Sequence, residues 1–174
     1  MTFVTLIPKQ SDLSEEGCRM LFRRRPKNQN EMTKDVKKYL KKFEKYLKKN
    51  DVDVDYNSAG AITFPTETVD GNDYTVTVNG EEDMVWLTTL LSIDETADEI
   101  SILRAINELN GTKNPVTVHV EHNMNILMLT MCFNSEMTER DMDAVMNAWW
   151  SGTEVVLKHM MEKVGLKIDW SKKL

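Results

Sequence analysis

"LRAINELNGTKNPVTVHVEHNMNILMLTMCF", residues 103–133, decides the fold class, because two kinds of chain meet in it at a stop signal. Its first part places apolar residues at helical spacing, and its second alternates with period two, as a half-buried strand does. Asn110-Gly111 and Pro115 sit at the join. Asn and Gly tolerate the positive φ common at helix ends, so the pair predicts the stop. Past it, Val116, Val118 and Val120 predict one strand, Asn123-Met124 a turn, and residues 126–133 a second strand.

Upstream, Thr96 with Glu99 reads as the capping box that opens this helix, whose apolar positions are Ile100, Leu103, Ile106 and Leu109. Before it, Tyr74, Val76 and Val78 alternate toward Asn79-Gly80, a strong hairpin signal, and residues 84–93 form the return strand. Residues 61–64 form a shorter strand, stopped by Pro65, which completes a three-stranded antiparallel meander. Farther upstream, residues 32–49 place Val36, Tyr39, Leu40, Phe43, Tyr46 and Leu47 on one helical stripe among eight lysines. Downstream, Thr138 and Asp141 cap a long last helix striped by Met142, Val145, Met146, Trp149, Val156, Leu157, Met160 and Val164. Gly165 is its expected stop, and Gly152 is a place where it could bend. Helix, three-stranded meander, helix, two-stranded hairpin, long helix: this order predicts an α+β fold with helices layered on a five-stranded antiparallel sheet. Residues 31–166 form the expected domain, preceded by a flexible basic arm at 1–30 and followed by a tail at 167–174.

The net charge of -6 conceals a division. Residues 1–50 hold fourteen Lys and Arg against six acids, and the rest of the chain holds eight against twenty-two. No apolar run approaches the roughly 20 residues that cross a bilayer, and "MTFVTLIPKQ" is too short and poorly flanked for a secretory signal. Cys18 and Cys132 are too few and too unlike in context for a disulfide framework or a zinc site. A cytoplasmic protein is the expectation.

Reactive chemistry is sparse. Asp51, Asp53 and Asp55 alternate like calcium-loop ligands, but Tyr56 replaces the required glycine and Ile62 the bidentate glutamate. That stretch reads as a strand or turn. His119 and His122 flank Glu121, yet strand positions three apart point to opposite faces, and no third strong ligand is near. His159 reads as an edge-of-core or surface residue on the last helix. Phosphate-binding glycine loops and a G-x-S-x-G elbow are absent from the sequence, and no carboxylate pair is singled out. No catalytic residue, cofactor or metal site is assigned.

The strands say more. Val116, Val118, Val120, Leu127, Leu129 and Met131 share a face with Val85, Leu87 and Leu91, which predicts the side that meets the helices. The opposite face then carries Trp86, Leu90, Ile126 and Met128 among threonines, where a one-sided sheet normally shows mostly polar residues. An apolar patch there predicts either a contact with a partner or second subunit, or a cover supplied by the arm or the first helix. Trp150, about 100° around its helix from Trp149, is a further interface candidate.

The arrangement in "LRAINELNGTKNPVTVHVEHNMNILMLTMCFNSEMTERDMDAVMNAWW", residues 103–150, resembles the class I type III secretion chaperones and the YbjN-type family of bacterial chaperone-like proteins. The resemblance runs over roughly residues 33–165 and lies in apolar spacing and element order. It implies a compact α+β domain, a homodimer, and a binding or regulatory role without catalysis. The lysine-rich first helix departs from the acidic character usual in secretion chaperones. The expected function is a non-enzymatic, chaperone-like adaptor that holds a polypeptide through its sheet face. The alternative is a regulator that uses its basic first third on nucleic acid or anionic membrane. Buried aromatics on the lysine helix argue against a nucleic-acid stacking platform.

Overall fold

Thr33 opens the first helix: its Oγ1 accepts from the Val36 N–H at 3.3 Å, satisfying one of the amides every helix start leaves unpaired. This helix, α1, spans Lys34–Lys49 and buries Val36, Tyr39, Phe43 and Leu47. Each such side chain contributes about 1.5–3 kcal/mol when fully removed from water. Leu40 and Tyr46 lie half-buried at the margin of the stripe, and the eight lysines are all exposed. The computed structural model describes residues 33–81, 83–94, 98–121 and 125–171. The expected arm at 1–30, Thr96, His122 and the Asn123-Met124 turn lie outside them.

Six strands follow: β1 (Asp55–Tyr56), β2 (Ile62–Glu67), β3 (Asp73–Glu81), β4 (Met84–Ser92), β5 (Thr117–Glu121) and β6 (Ile126–Asn134). They form one antiparallel sheet in the order β1-β2-β3-β4-β6-β5. The sheet has one strand more than the five expected, because Asp55 and Tyr56 pair with Thr63 and Ile62. Two stops were misplaced. The β3–β4 reversal falls between Glu81 and Met84, not at Asn79-Gly80; those two residues stay in the ladder opposite Trp86 and Val85. A glycine is tolerated inside a strand when the pairing beyond it is worth more than the turn signal. Nor does Pro65 end β2, which continues to Glu67 with Pro65 opposite Thr75. Because β1 covers only Ile62 and Thr63, the outer side of β2 at Pro65 is an open edge, where a missing N–H breaks no ladder bond.

The second helix, α2 (Glu99–Asn110), starts at Asp98, not at Thr96. The Asp98 carboxylate accepts from the Ser101 N–H at 2.9 Å and its hydroxyl at 2.5 Å. Its buried stripe is Ile102, Ala105, Ile106 and Leu109, while Ile100 and Leu103 are 60% and 45% exposed. The two overlapping stripes share Ile106 and Leu109, and the complete i, i+3, i+4, i+7 set is the one that packs. Gly111 has φ -80°, so the stop does not use positive φ. Instead the Asn110 side chain turns onto β5: its Oδ1 accepts from the Val118 N–H and its Nδ2 donates to the Val118 carbonyl, both at 3.0 Å.

The last helix, α3 (Glu139–Val164), begins where the Asp141 carboxylate accepts from both the N–H and the hydroxyl of Thr138 at 2.7 Å. It ends at Gly165, φ 68°, in the left-handed conformation glycine adopts without strain. The helix runs through Gly152 without a break. A Cβ there would lie 2.7 Å from both Asn114 Oδ1 and Val116 Cγ2, so the glycine lets the 111–116 loop lie against α3.

Buried residues from each of the three helices, Tyr39, Phe43 and Leu47 on α1 among them, join one core with Val76, Val78, Val85, Leu87, Leu91, Val118, Leu127, Leu129 and Met131 from the sheet. The helices therefore cover a single face. Past Gly165 the chain rejoins the sheet: Ile168 bridges to Ile93, the Asp169 N–H donates to the Ser92 carbonyl at 2.9 Å, and the Asp94 N–H donates to that of Lys167 at 2.9 Å.

Candidate partner-binding face

The face of the sheet turned away from the helices is built by alternation and fixed by register. Trp86 stands opposite Cys132, Leu90 opposite Met128, and Met128 opposite His119. Trp86 and Met128 are half-buried, and Leu90 is 37% exposed. The two apolar ends are separated by a row that the residues alone did not reveal. Thr63, Thr77, Thr88, Thr130 and Thr117 are successive Cα partners across five strands, with Asp55 on β1 beside Thr63. Neighbouring members stand one strand spacing apart, about 4.8 Å. Each presents a methyl for apolar contact and a hydroxyl that both donates and accepts. The row depends on four strand registers, one of which, β4 with β6, joins strands distant in sequence, so no local pattern announces it.

Two of the five expected contact residues are placed differently. Ile126 has the register of the outer face, opposite Ser92 and Glu121, but is only 8% exposed. It sits at the start of β6, beside Asn125, whose carbonyl accepts from the Ile93 N–H, and opposite Ser92, whose carbonyl accepts from the Asp169 N–H. Trp150 lies on α3, on the helix side of the sheet. Its Nε1 donates to Thr66 Oγ1 at 3.2 Å, and its ring is 39% exposed. It rims a groove of about 490 Å³ between α1, β2 and α3, lined also by Val52, Phe64 and Met146. The Tyr46 hydroxyl donates to Asp143 Oδ1 at 2.7 Å across this groove. The structure thus brings Trp86, Leu90 and Met128 to one face and leaves Trp150 apart from them. Nothing in the sequence links Tyr46 to Asp143, which lie on different helices.

Burial shifts three titratable groups of the sheet and its core. Burial pushes the Cys132 thiol up, which disfavours the thiolate that would make it a nucleophile. Beneath the sheet, the Tyr74 hydroxyl faces Trp149, Thr66 and Thr153; burial first and the Glu154 charge second raise its pKa to about 12. Burial likewise raises Tyr39. Among the described residues no group of three or more His, Cys, Asp or Glu stands close enough to hold a metal ion. None of the described helices is long and apolar enough to cross a membrane.

The fold is similar to that of YbjN. The crystal structure of YbjN from E. coli, a proposed transcription regulator, matches with a TM-score of 0.57 over 70% of this chain and 90% of its own. Sequence identity with YbjN is 8%, so the likeness establishes the α+β fold alone. No family model and no curated protein matches the chain.

Proposed function

We propose that the protein is a non-catalytic, cytoplasmic adaptor that holds a polypeptide segment against the outer face of its sheet and works as a homodimer. One observation carries the reading: three helices cover one face, while register gathers Trp86, Leu90 and Met128 on the other. Apolar side chains in such a position are the ordinary source of contact energy, with tryptophan the commonest anchor. The exposed Ile100 and Leu103 on α2 supply apolar surface elsewhere for a subunit contact. The test compares wild type with the Trp86→Ala, Met128→Ala double variant on an immobilised peptide array and in the analytical ultracentrifuge. Peptide retention is expected to fall at least tenfold while the circular dichroism stays native. Unchanged retention would remove the face from consideration, and a monomer at all concentrations would remove the homodimer.

A second reading has its own support in the eight exposed lysines of α1. A regulator acting on nucleic acid or anionic membrane would use them, and its affinity would fall steeply with salt. Titrating duplex DNA and anionic vesicles at two salt concentrations separates the readings, because apolar capture lacks that dependence.

A further inference from the structure

The charges of the folded chain are sorted by layer. From Lys49 to Arg104 the sequence contains thirteen Asp and Glu and no intervening Lys or Arg. None of the six strands holds a single Lys or Arg; among the described residues the bases lie on the helices and at Lys113 and Lys167. The outer face therefore has a centre without formal charge, made of Trp86, Leu90, Met128 and the threonine row. Among the described strand residues, the formally charged side chains on this face are all carboxylates: Asp55 on β1, Glu67 on β2, Asp73 and Glu81 at the two ends of β3, and Glu121 at the end of β5. Glu67 and Asp73 are direct Cα partners. Like charges so placed oppose the pairing of their own strands, and exposed sheet edges usually carry lysine. A rim of one sign around an uncharged centre selects its partner by charge.

We propose that this face takes a cationic polypeptide segment, with apolar residues seated on Trp86, Leu90 and Met128 and arginine or lysine flanks reaching the rim carboxylates. The inference rests on the docking reading above and adds the chemical class of the occupant. Asp73 and Glu81 lie about 27 Å apart by strand rise, so an extended segment of about eight residues spans the face from one acidic end to the other. Trp86 and Leu90 are separated by about 13 Å on the same measure, which spaces two apolar anchors four residues apart. The threonine hydroxyls between them can donate to or accept from the segment's backbone. A second copy laid face to face would set rim against rim, carboxylate against carboxylate, so the charge pattern opposes that pairing.

The test uses the full chain and three synthetic peptides with one common apolar core, flanked by arginine, glutamine or glutamate, followed by fluorescence anisotropy at low and high salt. The arginine-flanked peptide is expected to bind at least tenfold more tightly than the glutamine-flanked one at low salt, with the advantage shrinking as salt rises; the glutamate-flanked peptide binds weakest. Neutralising the rim with Glu67→Gln, Asp73→Asn and Glu81→Gln should erase the arginine preference and leave the glutamine-flanked peptide bound as before. The control Glu108→Gln, Glu136→Gln, Glu162→Gln removes as much charge elsewhere and should preserve the preference. Equal binding of the arginine and glutamine peptides overturns the charge inference while leaving the docking reading intact, and so does loss of the preference in the control. If neither peptide binds, the docking reading falls as well. A dimer that dissociates on Trp86→Ala and excludes every peptide assigns the face to a second copy and overturns the proposal.

Discussion

Gly152 carries a constraint out of proportion to its size. Asn114 donates through Nδ2 to the Gly152 carbonyl at 3.1 Å and accepts through Oδ1 from the Val116 N–H at 3.0 Å, so the atoms a new methyl would strike are themselves held. Gly152→Ala gains about 1 kcal/mol of helix propensity, yet overpacking of this kind costs about 1–3 kcal/mol. Net destabilisation is expected, read as a lower urea midpoint; a gain in stability would show that the loop can step aside. Tyr74 gives a pH-dependent counterpart. Its ordinary pKa of 10.0 is raised to about 12 in the folded chain, so the native state favours the neutral phenol. That contribution is complete below pH 10, where the unfolded tyrosine is neutral too, and is lost as pH rises through about 12. Chemical unfolding across that window should therefore show a shallower alkaline loss for Tyr74→Phe than for wild type. Parallel profiles would mean that the hydroxyl is not held neutral.

Among the elements, Asn110 is the point where α2 and β5 are tied. Asn110→Ala leaves the N–H and carbonyl of Val118 without their partner, at a cost of about 1–3 kcal/mol. Asn110→Asp keeps the acceptor and should lose less, and equal thermal midpoints for both variants would discount the tie. The same residue shows how far local pattern reading goes. Asn110-Gly111 marked the correct end of the helix for the wrong reason, since the signal was side-chain bonding to a strand and not backbone freedom. Long periodic segments were legible: the stripes of α1 and α3 and the alternation of β3 to β6 placed every core-facing strand residue that was named. Points settled by tertiary pairing were not. Asn79-Gly80 stayed in the ladder, Pro65 fell on an uncovered edge, and Ile100 and Leu103 lost the core to the stripe that includes Ile102 and Ala105. For the candidate site, alternation found Trp86, Leu90 and Met128. The threonine row and the burial of Ile126 needed registers that only the folded chain supplies.

At the scale of the whole molecule, the two faces of the sheet answer differently to substitution. Leu87 is fully buried, and Leu87→Ala should cost about 2–5 kcal/mol. Trp86, next in sequence but turned outward and half-exposed, has less buried area to lose, so Trp86→Ala should move the thermal midpoint far less than Leu87→Ala while impairing peptide retention. Equal midpoint shifts would mean that the outer face is itself covered. Adjacent residues thus divide the tasks of holding the fold and of meeting other molecules.

The strand order has a consequence for the protein's birth. β4 lies between β3 and β6 in the finished sheet, joined to β6 along nine residue pairs from Met84–Asn134 to Ser92–Ile126. A ribosome delivers β4 well before β6, with α2 and β5 made in the interval. Throughout that wait one margin of "MVWLTTLLS" is bare, an apolar strand with unpaired amides and carbonyls, the kind of surface that nascent chains most readily misuse. Folding during synthesis is therefore most vulnerable between emergence of Ser92 and emergence of Asn134, and chaperone demand for this chain should peak there.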